Sequence, residues 1–366
     1  MTTVKRALGI GVVVSVMLCA VACTSGAATR SAGTHKSAIS AARCATNRHA
    51  GTMTFVSPFG YDASAGIIDI FAAQSLGYFK AMCIDVAVSI PSYTTSPYIV
   101  VSSGRGTVTG EGSAADDLLE VANHANLVAI ATFGDTSDYA ILTKGSVTNL
   151  RELEGKTLGY HTVVPVVLSE MLANAKVDIA KVHEVNDTSY DPRLLVQGKF
   201  DAIQAYQSNE PLQLAAEGYK KGSAFREWLP SSLGVQGTFN VQIVNGTFLK
   251  QHRSTVADFL RAELKAAAYC IANARACVGI EQAAASRAHV TYNTAFALAE
   301  WRYESALVTH HTLSGKGIGV QSAAEWMPEY KAVLAYKLAK SLPPLSAIED
   351  SALVASLYRG STLIWP

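Results

Sequence analysis

From Thr52 onward, short apolar runs closed by turn residues alternate with stretches of helical period, and this alternation limits the fold more than any other feature. Residues 52–56, 84–90, 107–109, 127–133, 139–143, 157–160, 182–185 and 200–205 read as strands. Between them, 66–80, 114–123, 150–154, 164–173, 192–196 and 211–218 read as helices, the first closing on Gly77-Tyr78-Phe79. Such order builds open α/β sheets with helices on both faces. After one more strand over 239–244 the character changes, and helices are predicted over 255–274, 293–308, 323–339 and 348–357 with no further strand. The fold class is α/β: two lobes, each an α/β sheet, followed by a helical C-terminal third. No fixed-period repeat appears, which excludes a solenoid.

The N-terminus differs in character from the rest of the chain. Lys5 and Arg6 precede an apolar run, 7–18, and then Ala20-Val21-Ala22-Cys23. That is the layout of an export signal, ending in a cysteine placed as in a bacterial lipobox. A plain signal peptide with an incidental cysteine is the alternative. Residues 1–22 are expected to be the signal peptide, Cys23 the lipidated anchor, and 23–51 a flexible tether, since 24–40 is rich in Ser, Thr, Ala and Gly. Removing Lys5 and Arg6 turns the formal charge from +1 to −1. The chain is 49% hydrophobic and only 16% charged, yet no later apolar run approaches the roughly 20 residues of a spanning helix. High apolar content excludes disorder, and the missing basic excess argues against nucleic acid. The expected location is extracytoplasmic, held to the cell membrane by the lipid.

Cys44, Cys83, Cys270 and Cys277 remain after the signal and the anchor. Four cysteines in an oxidising compartment allow three pairings. Cys270 and Cys277 flank the end of one predicted helix and favour a local bridge, which leaves Cys44 to clip Cys83. Four free buried thiols are the other reading. No cysteine pair has zinc-ligand spacing with histidine partners. His310-His311 lies in a helical region with no acidic or cysteine partner at metal spacing, so no metal is assigned.

Ligands of open α/β sheets sit outside the carboxyl ends of strands, which directs attention to four turns. Phe59-Gly60-Tyr61-Asp62-Ala63-Ser64 supplies a ring, a carboxylate and a hydroxyl; Thr109-Gly110-Glu111-Gly112-Ser113 supplies Glu111 and Ser113 on a backbone opened by glycine. Tyr160-His161-Thr162 precedes a helix whose free N–H groups suit an anion or carbonyl. Tyr206-Gln207-Ser208-Asn209-Glu210-Pro211 places Pro211 in a first helical turn, with Asn209 or Glu210 toward the cleft. Asp62, Ser64, Thr162 and Asn209 read equally well as helix caps, Glu111 as a solvated carboxylate, and Tyr61 and Tyr206 as packing rings. Together the turns make a pocket of rings with a few placed polar groups, as small organic ligands require. The G-x-S-x-G elbow and the phosphate-binding loop are absent, and Gly104-Arg105-Gly106 lacks the rest of a dinucleotide fingerprint.

Several segments resemble one family, the solute-binding proteins of the thiamine-precursor, sulfonate and nitrate uptake group, over roughly Thr52 to Leu342. They are Ala72-Ala73-Gln74-Ser75-Leu76-Gly77-Tyr78-Phe79-Lys80 with Ile84-Asp85-Val86, and Asn149-Leu150-Arg151-Glu152-Leu153-Glu154-Gly155-Lys156-Thr157-Leu158-Gly159. Gly198-Lys199-Phe200-Asp201-Ala202, Asn209-Glu210-Pro211, and Phe248-Leu249 through Val256 to Phe259-Leu260-Arg261-Ala262 follow in the same order. Met82-Cys83 departs from the family pattern. The resemblance implies a periplasmic-binding-protein-like fold of type II, with lobe one over 52–138, lobe two over 139–239, and 240–366 returning to lobe one. It further implies a monomer that captures a small polar organic solute by cleft closure and delivers it to an ABC permease and its ATPase, without a cofactor. Tyr61 and Tyr206 would flank the ligand; Asp62, Glu111 and Glu210 would accept from its amino groups; Ser64, Ser113, His161, Thr162 and Asn209 would hold its polar edge. Three candidate carboxylates favour a pyrimidine-like thiamine precursor over nitrate, with sulfonate or taurine as the alternative. A pyrimidine-synthase-type enzyme is the rival class, but the dense cysteine cluster of such relatives is missing and no catalytic residue is assigned.

Overall fold

The computed structural model describes residues 38–91, 95–161, 164–189, 191–312 and 314–366. The expected signal peptide, Cys23 and Thr162 lie outside them. Within the described residues no helix is long and apolar enough to cross a membrane.

Lobe one is built on a five-stranded sheet of β1 (Met53–Val56), β2 (Val86–Ser89), β3 (Val108–Glu111), β4 (Leu127–Gly134) and β10 (Phe239–Asn245), in the order β2-β1-β3-β10-β4. β1, β2 and β3 are parallel, and β10 runs antiparallel to both of its neighbours. Lobe two repeats the plan with β5 (Tyr139–Lys144), β6 (Thr157–Tyr160), β7 (His183–Asn186), β8 (Ala202–Tyr206) and β9 (Phe225–Trp228), ordered β7-β6-β8-β5-β9. The strands read as continuous apolar runs because helices cover both faces. In lobe one, Met53, Phe55 and Val244 pack under the Ile68–Ser75 and Gly246–Ala272 helices, while Val56, Val241 and Ile243 face Leu118 and Trp326. In lobe two, Ile141 packs with Leu168 and Met171, and its neighbours Ala140 and Leu142 pack on the opposite face with Leu195 and Phe225.

The chain crosses between lobes twice, from Gly134 of β4 into β5 and from the Pro230–Leu233 turn back into β10. The two crossovers run side by side: a Cβ on Gly237 would lie 2.9 Å from Ser137 Cβ. Phe239 already pairs with Gly134 in the first sheet, so the return begins one residue before the expected position 240.

Several expectations need correction. The tether does not reach residue 51, because Ala41–His49 is a helix capped by the Ser40 hydroxyl. That helix lacks a wide apolar face and is held by polar contacts: Arg43 Nε and Asn47 Nδ2 both donate to Asp258, at 2.7 and 2.8 Å. The predicted 66–80 helix splits into Ile68–Ser75 and Tyr78–Ala81, since Gly77 adopts a left-handed φ of 76° that ends the first segment. The predicted 255–274 helix forms the main part of the Gly246–Ala272 segment, which is kinked at the non-helical His252 and preceded by a short helix whose Phe248 N–H donates to the capping Asn245 Oδ1 at 3.0 Å. Strand β9 lacked a sequence signal, its Phe225-Arg226-Glu227-Trp228 carrying charge between the rings. The C-terminal third also holds a short hairpin, β11 (Tyr358–Arg359) and β12 (Thr362–Leu363), turning at Gly360.

Disulfide bonds join Cys44 to Cys83 and Cys270 to Cys277. The first ties the Ala41–His49 helix to the turn before β2, and the second ties the Gly246–Ala272 helix to the following Ala274–Arg287 helix.

Candidate functional site

Both sheets point strand ends and crossovers at one cavity of about 50 Å³ between the lobes. A single water needs roughly 10–15 Å³ on this measure, so the closed cleft holds a few waters or a small organic group. Phe59, Tyr139, Tyr206 and Phe239 supply aromatic walls. Tyr206 stacks on Tyr139 with centroids 4.8 Å apart and receives the edge of Phe59 at 6.1 Å. Lobe one thus brings Phe59 and Phe239, lobe two the tyrosine pair, and a bound ring would lie among them.

The polar lining is acidic. Asp62, Asp138, Glu300 and Glu304 line the cavity, and no Lys, Arg or His joins them among the described residues. Glu300 and Glu304 are consecutive-turn neighbours on the Thr294–Thr312 helix and only 3% exposed each. Glu304 Oε2 accepts from the Ser64 hydroxyl at 2.7 Å and from the Ala65 N–H at 2.8 Å. Asn240 completes this group by donating to Ser64 Oγ at 2.7 Å and to the Ala65 carbonyl at 2.9 Å. It does so from a left-handed φ of 42°, a conformation Asn tolerates better than most residues. On the other lobe, Asp138 Oδ2 accepts from the Ser208 hydroxyl at 2.6 Å, while Asp138 Oδ1 is buried without a partner.

Burial sets the protonation of these acids. It pushes Asp62 up to about 7. Asp138 rises to about 8 through burial, only partly offset by Ser208 and reinforced by the charges of Glu210 and Glu227. Glu300 and Glu304 are raised well above the ordinary range by burial and then by neighbouring carboxylates, Asp62 among them. The physical cause is shared: several like charges in a dry site cannot all ionise.

Of the residues expected to bind ligand, Asp62, Ser64, Tyr206 and Asn209 line the cavity. Tyr61 does not; its ring packs on Phe71 with centroids 5.3 Å apart, and Phe59 occupies the wall instead. Ser113 is the cap of the Ala114–Ala122 helix, exchanging bonds with Asp116, and Gly112 beside it reaches the lining. His161 is turned away: its Nδ1 lies 2.9 Å from the Asp187 carbonyl and its N–H donates to Gln204. Glu210 sits behind the wall, accepting from the Tyr206 N–H at 2.7 Å, with its carboxyl pushed up to about 7 by burial and the charge of Asp62. Glu111 contributes backbone to β3 opposite Val241.

Glu300 and Glu304 lie on a helix and Asn240 within a strand, away from the strand-end turns where the sequence predicts ligand contacts, whereas Asp138 closes the turn between β4 and β5. A signal existed for two of them. Ala297, Glu300, Trp301, Glu304 and Val308 form one buried helical stripe, so two acids occupy positions that an amphipathic helix reserves for apolar side chains. His310 and His311 also have acidic neighbours that spacing did not reveal. Asp135, His311 and Glu325 place ligand atoms within 4.8 Å of one another, though Lys316 also pairs with Glu325. None of these lines the cavity.

Two α/β lobes, two crossovers and a ring-walled cleft between them define the periplasmic-binding-protein architecture, a fold built to enclose a small molecule. Sequence comparison narrows this: the profile of the NMT1/THI5-like family matches residues 64–276, and the chain belongs to that family. No curated protein matches it in sequence. Solved structures do match in shape. The ligand-binding component of an ABC-type import system from Staphylococcus aureus, solved with zinc bound, superposes with a TM-score of 0.59 at 11% identity, covering 83% of this chain and 97% of that one. The periplasmic aliphatic sulphonate binding protein SsuA from Escherichia coli gives 0.59 at 11%, covering 81% and 91%. The desulfurization enzyme DSZB gives 0.54 at 12%, covering 83% and 98%. At such identities the likeness speaks for the fold alone.

Proposed function

We propose that this protein is the extracytoplasmic substrate-binding component of an ABC importer, and that it captures a small amino-bearing organic solute by closing its lobes. One observation carries the choice of solute: the interlobe cavity is lined by four carboxyls and aromatic rings with no basic side chain among the described residues. The rings accept a flat heterocycle, and the carboxyls accept from its amino groups. A ligand touching both lobes stabilises the closed state by the contacts that only that state provides. A pyrimidine-like thiamine precursor has this chemistry. The partners are then the permease and ATPase, with the protein a monomer held to the membrane through a lipid on Cys23.

Sulfonate is the second reading, supported by the names of structural neighbours such as SsuA. It requires the acids to face a strong anion, which repels any carboxylate that ionises. An enzymatic role is favoured by no residue set in the cleft, although DSZB shows that this fold also serves an enzyme. A thermal-shift screen of aminopyrimidines, alkanesulfonates and taurine tests the choice, because a ligand that binds only the folded state raises the midpoint. If sulfonates alone raise it, the amino-solute reading is wrong. Loss of palmitate labelling in a Cys23→Ala variant tests the anchor.

A further inference from the structure

The acids of the cleft are more numerous than hydrogen bonding to a neutral ring requires. Glu300, Glu304 and Asp62 come from lobe one and Asp138 from the crossover into lobe two. Behind Asp62, Glu281 is fully buried on the Ala274–Arg287 helix, where it accepts from the Tyr292 hydroxyl at 2.7 Å and leaves Oε1 without a partner. Asp138, 5% exposed, likewise presents an unpartnered Oδ1 in the cavity wall. An ionised cluster of this kind, with no cation inside it, is too costly to persist once water is excluded.

When the lobes are closed, either protons on the carboxyls or a positive ligand balances the cluster. A metal ion is the wrong size. Carboxylate oxygens around one ion lie at roughly 2.0–2.6 Å from it. Among the described residues, however, the only group with ligand atoms all within 4.8 Å of one another is Asp135, His311 and Glu325, outside the cavity. The cleft acids form no such group.

We propose that the cleft takes an organic cation, and that each loading event replaces carboxyl protons with the positive charge of the solute. This rests on the reading of the cleft as the solute site and narrows its ligand to a charged one. In each exchange a carboxyl O–H gives its proton to water, and the carboxylate left behind accepts from the ammonium N–H. Among the described residues no Lys, Arg or His lines the cavity to compete with such a ligand. The groups that face the four acids from adjoining elements are Glu210, Glu227 and Glu281, with the phenols of Tyr292 and Tyr303. Glu227 is already paired with Lys221. The raised carboxyls of Asp62 and Asp138, at about 7 and about 8, leave protons to be displaced near neutral pH.

The test uses two ligands that differ only in charge, a 4-amino-5-aminomethylpyrimidine and its 5-hydroxymethyl isostere, titrated into the full-length protein. At about pH 7.5 the aminomethyl compound should bind at least about tenfold more tightly, and its affinity should rise between about pH 6 and 8 by up to about tenfold per pH unit for each proton released. Calorimetry in phosphate and in Tris should give heats that differ by the buffer ionisation enthalpy, counting about one or more protons expelled. Asp138→Asn and Glu304→Gln should each shrink both the charge preference and the proton count, with circular dichroism reporting the fold. Equal affinity for the pair, with no buffer dependence, overturns the cation assignment while leaving the solute-binding reading intact. If neither compound binds but ethanesulfonate does, the amino-solute reading falls as well. Silence toward all three overturns the cation assignment, because a charge-selective pocket must respond to the aminomethyl compound at millimolar concentration.

Discussion

The hydroxyl of Tyr303 donates to Gln207 Oε1 at 2.5 Å, joining a C-terminal helix of lobe one to the chain just beyond β8 of lobe two. Gln207 is in turn anchored, its amide donating to the carbonyls of Ser137 at 2.9 Å and Tyr139 at 3.1 Å. The contact therefore acts on a rigid point beside the first crossover, and it can form only while the lobes are together. A net hydrogen bond is worth about 1 kcal/mol. Tyr303→Phe should shift the open–closed balance toward open by about fivefold. Distances between spin labels on the two lobes would report it, and an unchanged distribution would show that the bond does not help hold the cleft shut.

The buried acids make stability depend on pH in an unusual direction. Asp62, Asp138 and Glu281 are raised by burial to about 7, about 8 and about 8, whereas the unfolded chain ionises them near 4. Between those limits the native state binds more protons than the unfolded one, so stability is full below about pH 4 and declines as pH rises through about 7 to 8. The ligand-free melting temperature should then be higher at about pH 5 than at about pH 8, by several degrees. A flat or rising profile would mean that the acids are ionised in the folded protein.

The two disulfides should differ in weight. Cys44 and Cys83 are 39 residues apart and Cys270 and Cys277 only 7. On a chain-entropy basis the longer loop stabilises by about 4 kcal/mol and the shorter by about 2.5. Urea titrations of the two paired Cys→Ser variants should therefore give the lower midpoint for Cys44/Cys83. The reverse order would place the larger effect in native packing around Cys270 and Cys277, both fully buried.

Gly237 is required by the closeness of the crossovers. Its missing Cβ would come within 2.9 Å of Ser137 Cβ, an atom that cannot swing aside without moving backbone. Gly237→Ala should cost about 1–3 kcal/mol and disturb the Thr238 anchor beside it. Thr238 there receives the Ala114 N–H at 2.7 Å and donates its hydroxyl to Glu329 at 2.8 Å. A thermal melt alongside the label distances would separate lost stability from altered closure; a variant normal in both would show that the crossovers yield freely.

Much of the architecture was legible because α/β strands covered on both faces leave plain apolar runs. The runs at 127–133 and 139–143 correspond to β4 and β5 within a residue or two. β9 escaped because Arg226 and Glu227 interrupt its rings on a strand at the edge of its sheet, where charge is tolerated. Single residues were harder. Phe59 and Tyr61 sit in one turn, and only the packing of Tyr61 on Phe71 decides which ring faces the cleft. Ser113 has the composition of a ligand and the position of a cap.

Sequence alone determined the alternation, and with it the two sheets, because period and turn residues act over a few neighbours. It also held the four cysteines that the fold pairs and the aromatic and acidic turns on which the cleft draws. Which acids face that cleft was decided only by tertiary structure. Glu300 and Glu304 lie far beyond β10 in sequence, yet a helix packed on lobe one sets them beside Asp62 and Asn240. The reason is physical: a carboxyl becomes a binding group when burial removes its water, and burial is a property of the assembled fold.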